Sequence, residues 1–359
     1  MIRAGLWEKA EGHLPEITDV QWRDILALAK EQTVPGLLSE GIRRYGAEPP
    51  SDVSLNLLQE EVQIEGKNAR MDEFVAKLFA FLKQSGIPGV LVKGQSVALY
   101  YEHPKWRCPG DVDLLLTVDD YEKMKVLMAP KASSVGTEDK ILLQSVMYFG
   151  SIELELHGAQ RSRLSGRIDR YLDALCKDIF DKSRWQLQEI ASAQVPSPVP
   201  DDYIFILFMH ILQHFFQEGV GLRQVCDWCR ILWACSGEFD LALLRQRLED
   251  NGLMGEWQAF AALAVGYLGM PQEAMPFYRA GMERKASLIL RYIFATGNFG
   301  KNRDLDKMHR LPFLLRKISL FTRKTADFLW YRLVAFPLDG TRFMLHAMWV
   351  SVRHTISEL

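Results

Sequence analysis

Apolar residues recur at three- and four-residue steps through residues 22–46, WRDILALAKEQTVPGLLSEGIRRYG. That spacing is one face of a helix, and Pro35-Gly36 marks a break in it. The stretch 56–86 repeats the pattern and stops at Gly86, a residue type that commonly ends helices. The texture then changes. Val90-Leu91-Val92 is a short strand-like run before Lys93-Gly94, and QSVALYYE starts a helix behind it. HPKWRCPG reads as a loop and DVDLLLTV as a strand. Asp119-Asp120 is expected to cap the helix DDYEKMKVLMAP. ILLQSVMYFGSIELELH reads as a hairpin around Gly150. From Asp169 the helical pattern returns, and ASAQVPSPVPDDY, with prolines at 196, 198 and 200, reads as a linker. From Tyr203 onward amphipathic helices follow, broken near Gly221, Gly237, Gly252, Pro271 and Gly300. The predicted fold class is α+β. A small mixed β-sheet module over 87–195 is flanked by helical regions over 1–86 and 196–359, with no internal repeat.

Composition narrows the picture only slightly. The chain has 359 residues, 48% hydrophobic and 25% charged, the balance of an ordinary globular protein. A net charge of -2 gives no global signal for nucleic acid. The N-terminal stretch lacks the basic start and apolar core of a signal peptide. No apolar run reaches the roughly 18 residues of a membrane span. Five cysteines (Cys108, Cys176, Cys226, Cys229 and Cys235) are odd in number and scattered, which is not a disulfide framework. A cytoplasmic protein without an integral membrane span is the expectation.

Chemistry enters with the carboxylates. Residues two apart on a strand share a face, so Asp111 and Asp113 project together with Val112 and Leu114 buried behind them. Glu153 and Glu155 repeat the arrangement in the second apolar run. Crowded carboxylates repel unless a cation compensates, and a hard divalent ion with oxygen ligands is the natural partner. Taken singly, an Asp-x-Asp pair is more often a solvated strand face. The ordered set Lys93-Gly94, Arg107, Asp111-Val112-Asp113 and Glu155-Leu156-His157 argues for a site.

That order resembles the nucleotidyltransferase superfamily, which has the fold of DNA polymerase β, and most closely its group of uncharacterised nucleotidyltransferases. The likeness extends to Trp22, to Ala29 through Pro35, and to HILQHFFQEGVGLRQVCDW, and covers about residues 20 to 300. It implies a nucleoside triphosphate as substrate and Mg²⁺ as cofactor, with Mn²⁺ as a substitute. Asp111 and Asp113 would be metal ligands. Glu155 would be the third carboxylate, holding the ion at the nucleophile or accepting its proton. Glu153 falls outside the acidic-x-His match and is a weaker third carboxylate. Lys93, Gly94 and Arg107 would contact the triphosphate. Ser96, in a Lys-Gly-Gln-Ser turn where the superfamily usually carries Gly-Ser or Gly-Gly, would join these nucleotide contacts. His157 shares the face of Glu155 and would orient a carboxylate, contact substrate or hold a structural hydrogen bond. His210 and Arg223 would line the nucleotide or acceptor pocket. The competing reading of that segment is a helix junction with satisfied histidines and an Arg223–Asp227 salt bridge one turn apart.

The implied activity is Mg²⁺-dependent transfer of a nucleoside monophosphate to a hydroxyl on a small molecule, sugar or protein, releasing pyrophosphate. The alternative is a non-catalytic nucleotide-binding or assembly protein that keeps the fold. Template-directed work on nucleic acid does not suit the charge. Two further patterns stand apart. His210, His214, Cys226 and Cys229 have zinc-like spacing, but they lie among Phe, Leu, Ile and Trp at helical spacing, where cysteine is commonly a buried apolar residue. Residues 315–354 alternate basic and apolar positions around Trp330, Tyr331 and Trp349. They suit a docked helix or, less readily, a membrane surface or acidic partner, and Pro337 and Gly340 divide them.

Overall fold

The computed structural model describes residues 1–7, 12–217, 219–298 and 333–357. Four helices come first: α1 (Ile2–Trp7), α2 (Asp19–Glu31), α3 (Pro35–Tyr45) and α4 (Ser51–Ser85). Thr18 and Gln21 cap α2 reciprocally, each side chain bonding the other's backbone N–H. Pro35 is the first residue of α3, where its missing N–H costs nothing, so the break in the periodicity is a helix start. The 35-residue α4 ends at Gly86, whose φ of 65° satisfies the last carbonyls.

The module is a five-stranded mixed sheet. Its elements are β1 (Val90–Val92), α5 (Gly94–Ala98), β2 (Val112–Leu115), α6 (Val118–Met128), β3 (Ser134–Val135), β4 (Gln144–Phe149) and β5 (Ile152–His157). Strand order is β1-β2-β5-β4-β3, with β2 and β5 parallel and every other pair antiparallel. The β4–β5 hairpin turns at Gly150, with φ 62°. Thr117, not the Asp119-Asp120 pair, caps α6; its hydroxyl accepts from Asp120 N–H, and the two aspartates occupy the first turn, where the helix dipole favours them.

After α7 (Gly166–Asp181) comes a second hairpin, β6 (Trp185–Ile190) and β7 (Ala193–Pro198). The Pro-rich stretch is therefore a strand and not a linker, and the 195/196 boundary falls inside it. Pro196 and Pro198 pair opposite Leu187 and Trp185 in a two-stranded ribbon, which has free edges where a missing N–H is tolerated. The remaining helices are α8 (Pro200–Gln217), α9 (Leu222–Ala234), α10 (Leu241–Asn251), α11 (Met254–Gly266), α12 (Glu283–Thr296) and α13 (Pro337–Ser357).

Strand alternation divides the sheet between two cores. Leu91, Val112, Leu114, Leu154 and Leu156 pack on Met71, Val75, Leu78 and Leu82 of α4 and on Tyr121 and Met124 of α6. Val90, Val92 and Leu115 face the other way, into a core shared by α1–α3 and α7–α12. Phe208, Trp228, Trp257 and Phe260 form its fully buried aromatic centre, each side chain contributing about 2 kcal/mol by burial. The site hangs on this second face, between the sheet and α8–α9.

Pro337 opens α13 after a break at Phe336 and so does divide the stretch, whereas Gly340 lies within the helix; Phe343 is buried against Phe216. Gly300 and most of the basic-apolar stretch before Leu333 lie outside the described residues. No described helix is long and apolar enough to cross a membrane. All five cysteines are unbridged.

Candidate active site

Register brings the acidic residues together. Asp113 on β2 sits directly beside Glu155 on the parallel β5, and Leu115 beside His157. The Asp113 side chain is 1% exposed. Its Oδ1 accepts from Lys93 Nζ at 2.5 Å and lies 2.9 Å from His157 Nε2. His157 Nε2 is also 3.3 Å from Glu155 Oε2. Gln144, at the start of β4 and opposite His157, donates its Nε2–H to Glu155 Oε2 at 2.7 Å. Asp113 Oδ2 is buried with no hydrogen-bond partner. Buried carboxylate oxygens are rarely left so, and this one keeps its lone pairs free to accept a further bond. One donor atom each from Asp113, Glu155 and His157 lies within 4.8 Å of the others. Asp111 precedes β2 and lines the same cleft without joining that tight cluster; so does Glu153.

The charges respond to burial and to each other. Burial alone would raise the Asp113 carboxyl, but the Lys93 ammonium and then His157 outweigh it and hold it well below the carboxylate range. Asp111 moves the other way, because burial and its neighbours Asp113 and Glu155 all oppose its charge. Glu153 is raised by burial and then by Glu155. Burial disfavours charge on Lys93 and His157, yet the surrounding carboxylates raise both. His210 is pushed well down, by burial first and then by the Lys93 charge, and is a neutral imidazole at ordinary pH.

The turn above β1 is strained. Lys93 has φ 59° and Gly94 φ 45°. A Cβ on Gly94 would stand 3.0 Å from the Asp111 carbonyl oxygen, so glycine lets the turn approach the strand. Ser96 is buried beneath it. Its hydroxyl donates to Lys93 O at 2.8 Å and shares a hydrogen bond with the Tyr203 hydroxyl, which ties the turn to α8.

Arg107 and Arg223 have separate environments. Arg107 is clamped by Asp227, Nε to Oδ1 at 2.8 Å and Nη2 to Oδ2 at 2.7 Å, and Tyr101 adds a bond to Oδ1 at 2.7 Å. The junction salt bridge therefore joins α9 to the loop before β2; the suggested Arg223–Asp227 pairing gives way because a guanidinium matches a carboxylate in two parallel bonds. Arg223 instead donates Nη1 to Cys108 O at 2.9 Å, and its Nε is buried without a partner. A Cβ on Gly110 would come within 3.3 Å of its Nη2, so glycine makes room for the guanidinium. Burial and the nearby Arg107 charge both lower its pKa.

A cleft of about 630 Å³ joins these groups, lined by Lys93, Gly94, Arg107, Asp111, Glu155, His157, His210 and Arg223 among others. Sequence reasoning missed Gln144 and the neighbouring Gln224 and Asn298, which bond each other at 2.9 Å. Gln144 was within reach, because closing the hairpin at Gly150 sets it opposite His157. The zinc spacing has no counterpart in space. Cys226 and Cys229 are buried in the helical core, and no described group of metal-capable side chains combines them with His210 and His214.

Carboxylates on adjacent strands, with a lysine-glycine turn resting on one of them beside a polar cleft, fit a nucleotidyltransferase. The chain belongs to the family of uncharacterised nucleotidyltransferases, whose model matches residues 18–269. A crystal structure of an antigenic nucleotidyltransferase-like protein from Paracoccidioides brasiliensis is similar over 45% of this chain and 74% of its own, at 16% identity and a TM-score of 0.31. No curated protein matches the chain. Membership supports nucleotidyl transfer in general terms and a nucleotide as substrate.

Proposed function

We propose that the protein is a Mg²⁺-dependent nucleotidyltransferase that moves a nucleoside monophosphate from a triphosphate to a hydroxyl acceptor and releases pyrophosphate. The observation that carries the proposal is the in-register Asp113–Glu155 pair, with a buried, orphaned Asp113 oxygen and an ammonium resting on the other. A donor set of carboxylates with one open oxygen suits a hard divalent ion. Asp111, Asp113 and Glu155 would hold it. Bound there, it would neutralise charge on the transferring phosphate and align the in-line displacement.

The chain's own groups do the rest. Lys93, paired with Asp113, would contact the phosphates of the bound nucleotide. Arg223, with an unused Nε–H, holds a phosphate oxygen. Arg107 fixes α9 against the loop before β2 and so sets the position of Arg223. His210, neutral, offers a hydrogen bond without adding charge. The acceptor oxygen forms a bond to the α-phosphorus, the bond to pyrophosphate breaks, and the acceptor proton passes to Glu155 or to water.

Pyrophosphate release from each of the four nucleoside triphosphates, with Mg²⁺ and a panel of hydroxyl acceptors, tests this. The expected result is release that EDTA abolishes. Tight nucleotide binding by calorimetry with no release across the panel would instead favour a nucleotide-binding module.

A further inference from the structure

A second cavity, of about 450 Å³, lies behind the phosphate-facing turn. Asn68 of α4 and Gln95 of α5, 1% and 5% exposed, form its floor. Asn68 donates Nδ2–H to the carbonyls of Lys105 at 2.7 Å and Arg107 at 3.0 Å, and Gln95 donates Nε2–H to Asp72. Those bonds fix which end of each amide is oxygen. Both amide oxygens, Asn68 Oδ1 and Gln95 Oε1, are then buried without a partner. Around them stand the carboxylates of Asp72, Glu65 and Glu189. The indole N–H of Trp106 is spent on Glu65 at 2.7 Å. The side-chain amide and indole donors of this wall are thus engaged, while its two amide oxygens stay open. Against those three carboxylates the lining sets one ammonium, Lys105, and one imidazole, His103.

We infer that this cavity is a binding site for a linear di- or polyamine. Protonated amines bring several N–H donors and no acceptor, the complement of two orphan carbonyl oxygens ringed by three carboxylates. The nearest internal rival is Lys105, which lines the same cavity and whose charge acts on Asp72. The site is separate from the catalytic cleft. Gly94 lines the cleft and Gln95 the cavity, and Lys67 and Asn68 divide in the same way along α4. An amine bound here would touch the turn from behind while nucleotide touches it from the front.

Calorimetric titration of the full chain with spermidine at about 0.1 M salt tests the inference. One saturable site is expected, weakened at least about tenfold in Asp72→Asn/Glu189→Gln and unchanged in Asp113→Asn. Both sets of variants keep side-chain shape and remove charge, so a lost site is separable from a lost fold by a cooperative melt. The inference is overturned by the absence of saturable binding, or by binding that the double variant keeps and Asp113→Asn loses. Binding that appears only in Lys105→Met also overturns it, because the chain's own ammonium then fills the space.

Discussion

Two buried acid–base clusters lie side by side, and they differ in one respect. Around Asp227 both carboxylate oxygens are used, by Arg107 in two parallel bonds and by Tyr101. Around Asp113 one oxygen carries both Lys93 and His157 and the other carries none. The first cluster is closed and holds α9 to the loop before β2. The second keeps one oxygen unclaimed. Both carboxylates are buried, and what separates an anchor from a candidate ion ligand is whether the last lone pair has been claimed.

Breaking the closed cluster gives the largest expected effect. Arg107→Leu strands a buried carboxylate and should cost about 3–5 kcal/mol, read as a lower urea midpoint. Arg107→Leu/Asp227→Leu should recover part of that loss, because no lone charge remains. A single variant as stable as the parent would show that the pair is no anchor. The open cluster should respond in the opposite currency. Asp113→Asn should lower pyrophosphate release by more than about 100-fold while the thermal melt stays cooperative. Turnover close to that of the parent would remove Asp113 from the chemistry.

Glu256 on α11 sharpens the contrast, since it is buried with neither an anchor nor a cleft. Its Oε1 has no partner, and burial, then Asp339, push its pKa up to about 8 against the weaker pull of Lys285. The neutral acid is favoured in the folded chain. Its stabilising share is complete below the unfolded value of about 4.3 and is lost as pH climbs towards about 8. Glu256→Gln should therefore melt higher than the parent at pH 8.5, by about 3 °C or more, with the gap closing towards pH 4.5. An equal gap at both pH values would contradict it. The smallest effect belongs to the turn. Gly94→Ala adds a Cβ at positive φ against the Asp111 carbonyl. Nucleotide affinity measured by titration should fall about fivefold, equivalent to about 1 kcal/mol.

Local pattern made the pairing of the carboxylates legible. Strand alternation set Asp113 and Glu155 on polar faces with Val112 and Leu114 behind them, and Gly86 and Gly150 announced a helix end and a hairpin. What stayed hidden depended on distant partners. Asp227 reads naturally as a mate for Arg223 one turn away, but its true partner is 120 positions earlier in the chain. Nothing in one window of sequence carries that information. The prolines of β7 misled for a different reason: they forbid a central strand but not a ribbon with open edges. Ser96 shows the limit of motif reading, because its hydroxyl is turned towards Tyr203 by packing that the turn alone does not specify.

The long helix α4 has a mechanical corollary. At 1.5 Å per residue its 35 residues span about 52 Å. Along that rod Lys67 faces the cleft, Asn68 floors the cavity behind the turn, and Met71 to Leu82 grip the back of the sheet. The helix works as a caliper whose jaws are set by neighbouring residues on one stiff bar. Tilting it would move part of the lining of both openings at once.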